Sequence, residues 1–212
     1  MDITWLGHSC FRIKGKVASL IIDPCAPSTG YTLSKMQTDM VILSHQHPGH
    51  SYVDGIQEGA RVIRVPGEYE IKDTYITGIA TYHDEEKGKT LGKNTIYVIE
   101  IDGVTLCHLG DLGHALSPEM IGELGTINVL FVPVGGHSTI GATVAADLVR
   151  NMNPGFAIPM HYKTADEKAE LEFPEKFLKE LGIKESPLQA KLTVTRANIP
   201  ITTQIVLLDY PH

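Results

Sequence analysis

The sequence predicts an α/β fold in which two mixed β-sheets lie face to face and helices cover their outer faces. Three observations predict it. The first half of the chain reads as short strands joined by hairpins. The second half alternates buried strands with amphipathic helices. An internal repeat pairs two hairpins and brings their loops to one edge.

The strand signals come first. Residues 2–6, 10–14, 17–22 and 40–43 are short runs rich in Ile, Val and Leu, bounded by Gly, Pro or Ser. Gly15 lies between two of them and reads as a hairpin turn. Residues 60–65, 68–72, 74–82, 95–102 and 104–108 continue the pattern, and Asp102-Gly103 is the clearest hairpin turn in the chain. Ser117-Pro118-Glu119 then offers an N-cap, a proline at the first helical position and an acid in the first turn. That helix is expected to run to Leu124 and stop at Gly125. Residues 127–134 read as a buried strand. A helix from Thr139 to about Met152 places Val144, Leu148 and Met152 on one stripe. Residues 156–160 form another buried strand, and 174–181 a helix that starts at Pro174 and ends at Gly182. Residues 201–208 read as a closing strand, and the polar run 163–172 as a solvated loop. No linker or low-complexity segment divides the chain, so a single domain over 1–212 is expected.

The repeat is specific in position. Gly15 precedes Asp23 by the same interval as Gly103 precedes Asp111. Each glycine joins two strands and each aspartate ends the second. Hairpin parity puts Gly7-His8 and Lys93-Asn94 at the same sheet end as the two aspartates.

Composition excludes several classes of function. The 212 residues carry 18 Lys+Arg against 25 Asp+Glu, a formal net charge of −7. Non-specific nucleic-acid binding needs clustered Lys and Arg, so this balance argues against it. No apolar run approaches the roughly 20 residues that span a bilayer, and the first residues lack the pattern of a secretory signal. Cys10, Cys25 and Cys107 are odd in number and widely spaced. A disulfide framework is therefore not expected, and a cytoplasmic location fits best.

The ten histidines stand out. His45-Gln46-His47-Pro48-Gly49-His50 directly follows an apolar strand, and strand ends are where loops build sites on a rigid scaffold. Neutral imidazole is the commonest metal ligand, and zinc takes three or four N, O or S donors. In an extended chain His45 and His47 point to one side, and His50 approaches from the next turn. Asp23, His83, Asp111 and His161 also follow apolar strands. Ligand-type residues thus recur at strand ends.

These residues resemble the metallo-β-lactamase superfamily, and within it the small Zn-dependent hydrolases that include the ascorbate-6-phosphate lactonase type. The resemblance rests on Thr4-Trp-Leu-Gly-His-Ser-Cys-Phe11, Ile21-Ile-Asp-Pro24, Ser44-His-Gln-His-Pro-Gly-His50, Leu109-Gly-Asp111, Val132-Pro-Val-Gly-Gly136 and Pro159-Met-His-Tyr162, in that order. It implies an αββα four-layer sandwich with two metals at one edge. It also implies that His45, His47 and His83 form the first metal site, and that His50, Asp111 and His161 form the second, with Asp111 bridging and catalytic together with His50 and His161. Asp23 would lie behind the metals and orient the histidines. His108 competes with His83 for the third position of the first site. The family pattern H-x-H-x-D-H is broken here by Gly49, so the second ion lacks a carboxylate. Restoring it with Gly49→Asp is expected to raise occupancy.

The function expected is a hydrolase that uses one or two Zn2+ ions, with Mn or Fe as alternatives. It would attack a lactone, ester or amide with metal-bound hydroxide. The alternatives are a metal-binding member without hydrolytic activity, which Gly49 favours, and a phosphodiesterase. The partner expected is a small-molecule substrate, with no nucleic acid and no membrane. His8, His114, His137, Thr139 and Tyr162 are expected to line its pocket.

Overall fold

The computed structural model describes residues 1–210. Strands β1 (Asp2–Trp5), β2 (Phe11–Lys14) and β3 (Ser19–Ile22) pair antiparallel, and β4 (Met40–Ile42) and β5 (Arg61–Ile63) join them in parallel. The antiparallel run β6 (Gly67–Ile71), β7 (Thr74–Tyr82), β8 (Lys93–Ile101) and β9 (Val104–His108) follows. Helix α1 (Pro118–Leu124), β10 (Val129–Pro133), helix α2 (Ala142–Met152), β11 (Phe156–Met160) and helix α3 (Pro174–Glu180) come next. Four two-residue strands complete the chain: β12 (Leu188–Gln189), β13 (Leu192–Thr193), β14 (Gln204–Ile205) and β15 (Leu207–Leu208).

These strands build one sheet in the order β13-β1-β2-β3-β4-β5 and another in the order β14-β11-β10-β9-β8-β7-β6. The two share one apolar core, which closes where the Phe11 ring of β2 meets the Phe131 ring of β10 at 4.5 Å between centroids. Every residue of β4, β10 and β11 is buried, as expected of parallel strands covered on both faces. Helix α2 packs on β10 and α3. On the six-stranded side, the crossovers between β3, β4 and β5 carry the short 3-10 turns Pro27–Thr29 and Val53–Gly55.

Local chemistry explains the boundaries. Asp102 and Gly103 both have positive φ, at 53° and 73°, which a two-residue turn matching strand twist requires. The Ser117 hydroxyl accepts from the Met120 N–H and caps α1. The hairpin repeat is structural. The backbone N–H of Lys16 at one tip donates to the Asp102 carboxylate at the other, at 3.0 Å. The opposite ends, at Asp23 and Asp111, meet at the other edge of the sandwich.

Three readings are corrected. Helix α2 starts at Ala142 rather than Thr139, because the N–H groups of Thr139 and Ile140 are bonded to Gly136 and Leu112 and the chain is extended at Gly141. Residues 201–208 do not form one strand: β14 pairs with β11, and β15 turns away to pair with β12. The run 163–172 is irregular but not solvated throughout, because Glu167 and Leu171 are buried. It is fastened to the segment after β3, where the Lys168 N–H donates to Thr29 O and the Tyr31 and Thr164 hydroxyls bond at 2.7 Å. Gly30 makes this possible. It has φ 111°, and a Cβ there would stand 1.8 Å from the Asp166 carbonyl oxygen.

Among the described residues, no helix is long and apolar enough to cross a membrane.

Candidate metal centre

The ligand-type residues follow the strand ends. Asp23 leaves β3, the 45–50 cluster follows β4, His83 follows β7, Asp111 follows β9 and His161 follows β11. His8, Asp23 and His161 have left-handed backbones, with φ of 53°, 47° and 52°. This conformation is uncommon outside glycine, and here it turns the chain sharply at the sheet edge.

Asp111 is the centre of the cluster. Its Oδ2 lies 3.1 Å from His50 Nε2, 3.1 Å from His83 Nε2, 3.4 Å from His161 Nε2 and 3.8 Å from His45 Nε2. Asn94, the second residue of β8, fixes Asp111 by accepting its backbone N–H at 3.0 Å. The Asn94 amide donates in turn to Thr81 Oγ1 and Leu109 O. Asp23 lies behind the cluster, fully buried. Its carboxylate accepts from the Ser44 N–H at 2.7 Å, the Ser44 hydroxyl at 2.6 Å and His50 Nδ1 at 2.9 Å. Ser44 Oγ is also 2.9 Å from His45 Nδ1, so one carboxylate orients two imidazoles.

The geometry brings the histidines together in groups. His45, His47 and His83 bring one ligand atom each within 4.8 Å of one another. His108 lies elsewhere: it is fully buried, its Nε2 faces Ser9 O at 3.0 Å, and its Nδ1 accepts from the Gly110 N–H. His83 is therefore the residue that completes the first group. A second group joins His50 and His161 to His8.

The pocket expectations are mostly corrected. A cavity of about 270 Å3 opens on the cluster and is lined by His8, Thr29, Leu91, Ser138, Ala169 and Leu171 beside the ligand residues. Of the five residues expected to line it, only His8 does. His114 bonds Ala115 O, His137 is exposed, and Thr139 caps its own turn. Tyr162 stacks on Trp5 at 5.1 Å and lines a separate cavity. Sequence reasoning passed over Asn94, although its place at the aspartate end of the sheet was a usable signal. It also passed over Glu167, which no local pattern marks.

A divalent ion fits these residues. His45 Nε2 and Asp111 Oδ1 are buried without a partner. Each such orphan costs about 1–3 kcal/mol unless it finds one. Imidazole and carboxylate together are a zinc-type donor set.

Charge is sorted within the cluster. Burial pushes His45 and His161 down to about 3, which keeps them neutral and able to ligate. Burial opposes the charge on His50 as well, but Asp111, and then Asp23, override it and raise His50 to about 10. Asp111 is held well below the carboxylate range by His161 and His50 against the opposing effect of its burial.

The sign of the pH dependence follows. In the metal-free protein the His50 pairing stabilises fully below its ordinary pKa of 6.5 and is lost as pH rises toward about 10. The lowered carboxylates stabilise above 3.8 and lose this on acidification. His45 and His161, lowered to about 3, act in the opposite sense around and below 6.5, but by about pH 7.5 they are neutral in both the folded and the unfolded chain. The metal-free protein should therefore melt at a lower temperature at about pH 9.5 than at about pH 7.5. Zinc stabilisation should grow over the same range, because His50 must shed its proton to ligate. Thermal melts with and without zinc check this; equal zinc stabilisation at both pH values would contradict it.

Comparison with known proteins gives the family and the shared fold. Residues 2–161 match the family described as the Beta-lactamase superfamily domain. A UPF0173 metal-dependent hydrolase of Pyrococcus furiosus is 29% identical, over 87% of this chain and 93% of its own. A UPF0173 metal-dependent hydrolase of Thermoplasma volcanium is 31% identical, over 78% of this chain and 85% of its own. A crystal structure from Thermotoga maritima, described as a Zn-dependent hydrolase of the metallo-β-lactamase superfamily, superposes with a TM-score of 0.82. It has 35% identity and 99% coverage of both chains. Since the family match spans most of the chain and the fold is shared along nearly all of it, this protein belongs to the metallo-β-lactamase superfamily.

Proposed function

We propose that the protein is a zinc-dependent hydrolase acting on a small lactone, ester or amide. The observation that carries this reading is the convergence of four buried imidazoles on one oxygen of Asp111, beside a cavity of about 270 Å3. A divalent ion held there supplies Lewis acidity toward a carbonyl oxygen and, in the case of zinc, lowers the pKa of a coordinated water to about 7.

The chain's own groups do the rest. His45, His47 and His83 hold one ion position; His50, His161 and Asp111 contribute to the other. Asp111 stays ionised, and its unpartnered Oδ1 is free to accept a hydrogen bond from the attacking water and aim it. Asp23 and Ser44 keep His50 and His45 in the ligating orientation. Leu91, Ala169 and Leu171 give the open cavity an apolar wall. Ligand pockets for drug-sized molecules run from about 300 Å3 upward, so this cavity suits a small substrate. A second cavity shares His47 and Leu91 with the first and carries Arg64 and Lys93. Substrates with an anionic substituent therefore belong among those tested. The three cysteines are free and buried, which fits a reducing, cytoplasmic setting.

The test is a panel of lactones, esters, amides and phosphodiesters assayed with zinc, after chelation, and after zinc is returned. Turnover of a carbonyl substrate that is lost on chelation and restored by zinc is expected. Turnover that survives chelation would overturn the reading. Stoichiometric metal with no turnover of any class would favour a metal-binding protein without hydrolytic activity, the reading that Gly49 supports.

A further inference from the structure

The missing carboxylate at position 49 has a structural replacement. A Cβ built on Gly49 would stand 2.9 Å from His8 Nε2 and 3.2 Å from His8 Cδ2. The space a side chain at 49 would enter is filled by the His8 imidazole. That imidazole is buried and faces the cluster, with its ring centroid 4.4 Å from His161 and 5.0 Å from His50. One ligand atom each from His8, His50 and His161 lie within 4.8 Å of one another.

Glu167 decides which His8 nitrogen is offered. Its Oε2 lies 2.8 Å from His8 Nδ1, and its Oε1 accepts the Ala169 N–H at 3.0 Å. Nδ1 therefore donates to a buried carboxylate, and the Nε2 lone pair is directed toward the space beside Gly49. This is the relation that Asp23 has to His50: a carboxylate behind the ring fixes the tautomer and the ring orientation. The backbone carbonyl of His8 is held as well, by Trp5 Nε1 at 3.0 Å and the His161 N–H at 3.1 Å. The Lys168 N–H bond to Thr29 O and the Tyr31–Thr164 hydroxyl bond fasten the loop that carries Glu167.

We propose that His8 is a protein ligand of the second metal position, taking the role of the absent carboxylate at 49, and that Glu167 is its positioning residue. The second ion would then be held by His8, His50, His161 and Asp111. Three imidazoles and one carboxylate favour zinc over the oxygen-seeking manganese. This inference rests on the hydrolase reading only for the presence of metal. It also reverses the expectation for Gly49→Asp, because a side chain at 49 now meets His8.

The experiment measures zinc by mass spectrometry and calorimetric titration, with manganese as competitor, on folded protein. Wild type should bind two equivalents. His8→Asn, which tolerates the left-handed backbone at this position, should bind one and keep the first. Glu167→Gln should weaken the second equivalent about 10–100-fold. Gly49→Asp alone should not raise occupancy. His8→Asn combined with Gly49→Asp should recover the second equivalent with a shift toward manganese. Two tight equivalents in both His8→Asn and Glu167→Gln would overturn the proposal, as would a wild type that takes up only one. Neither result would touch the hydrolase reading, which is tested separately by turnover and its loss on chelation. Should His8→Asn not fold, Glu167→Gln carries the test.

Discussion

Asp111→Asn is expected to remove at least about 10²–10³ of kcat, the usual cost of one lost electrostatic contact at the reacting atoms, and most of the bound metal with it. The substitution keeps the shape of the side chain. It also keeps the backbone N–H bond to Asn94, so the loop after β9 should not move. What changes is the charge that four Nε2 atoms converge on. Placed against the same nitrogens, the amide offers one neutral oxygen, and its N–H donors compete with a metal for the Nε2 lone pairs. The residues that would hold metal also lose the one carboxylate on which their nitrogens converge. In the metal-free variant His50 should titrate lower, because one of its two carboxylate neighbours is gone. Metal analysis, steady-state kinetics and NMR titration of the histidines measure the three effects separately. A variant that keeps both its metal and its activity would remove Asp111 from the centre of the site.

Much of this site is legible in the sequence because it sits where strands end. An apolar run followed at once by His, Asp or Gly is a local pattern, and His45, His47, His50, His83, Asp111 and His161 all occupy such places. The paired intervals from Gly15 to Asp23 and from Gly103 to Asp111 carry a longer-range message. In the structure these hairpins touch at their tips, and their aspartates grip opposite nitrogens of His50. The fold class is legible for the same reason: alternating hairpin strands and fully buried parallel strands, which occur together in each sheet, leave different periodicities. Glu167 is not legible. It lies in a run of Lys, Asp and Glu that reads as solvated, and only its partnership with His8, 159 positions away, turns it inward. The two-residue strands β12 to β15 are too short to carry any period.

Asp23→Asn should separate orientation from ligation: Asp23 also comes within 4.8 Å of ligand atoms of His45 and His50, but both its oxygens are taken up by Ser44 and by His50 Nδ1, the ring nitrogen opposite the one that faces Asp111. An asparagine keeps the left-handed backbone found there, at φ 47°, as alanine would not. With its oxygen on the Ser44 N–H, its amide must point toward Ser44 Oγ and His50 Nδ1. The hydroxyl can rotate to accept. The imidazole can accept only by moving its proton to Nε2, and that nitrogen is then lost as a ligand. The second metal equivalent should therefore weaken by about 10–100-fold, while His47 and His83 retain the first. The metal-free fold should lose about 1–3 kcal/mol, since a charged hydrogen-bond acceptor is gone from a fully buried site. Zinc titration and urea denaturation read the two effects independently. Unchanged second-site affinity in a folded Asp23→Asn protein would mean that the carboxylate serves the fold alone. Weakening of both sites by the same factor would mean that its bond to Ser44, shared with His45, matters as much as its bond to His50.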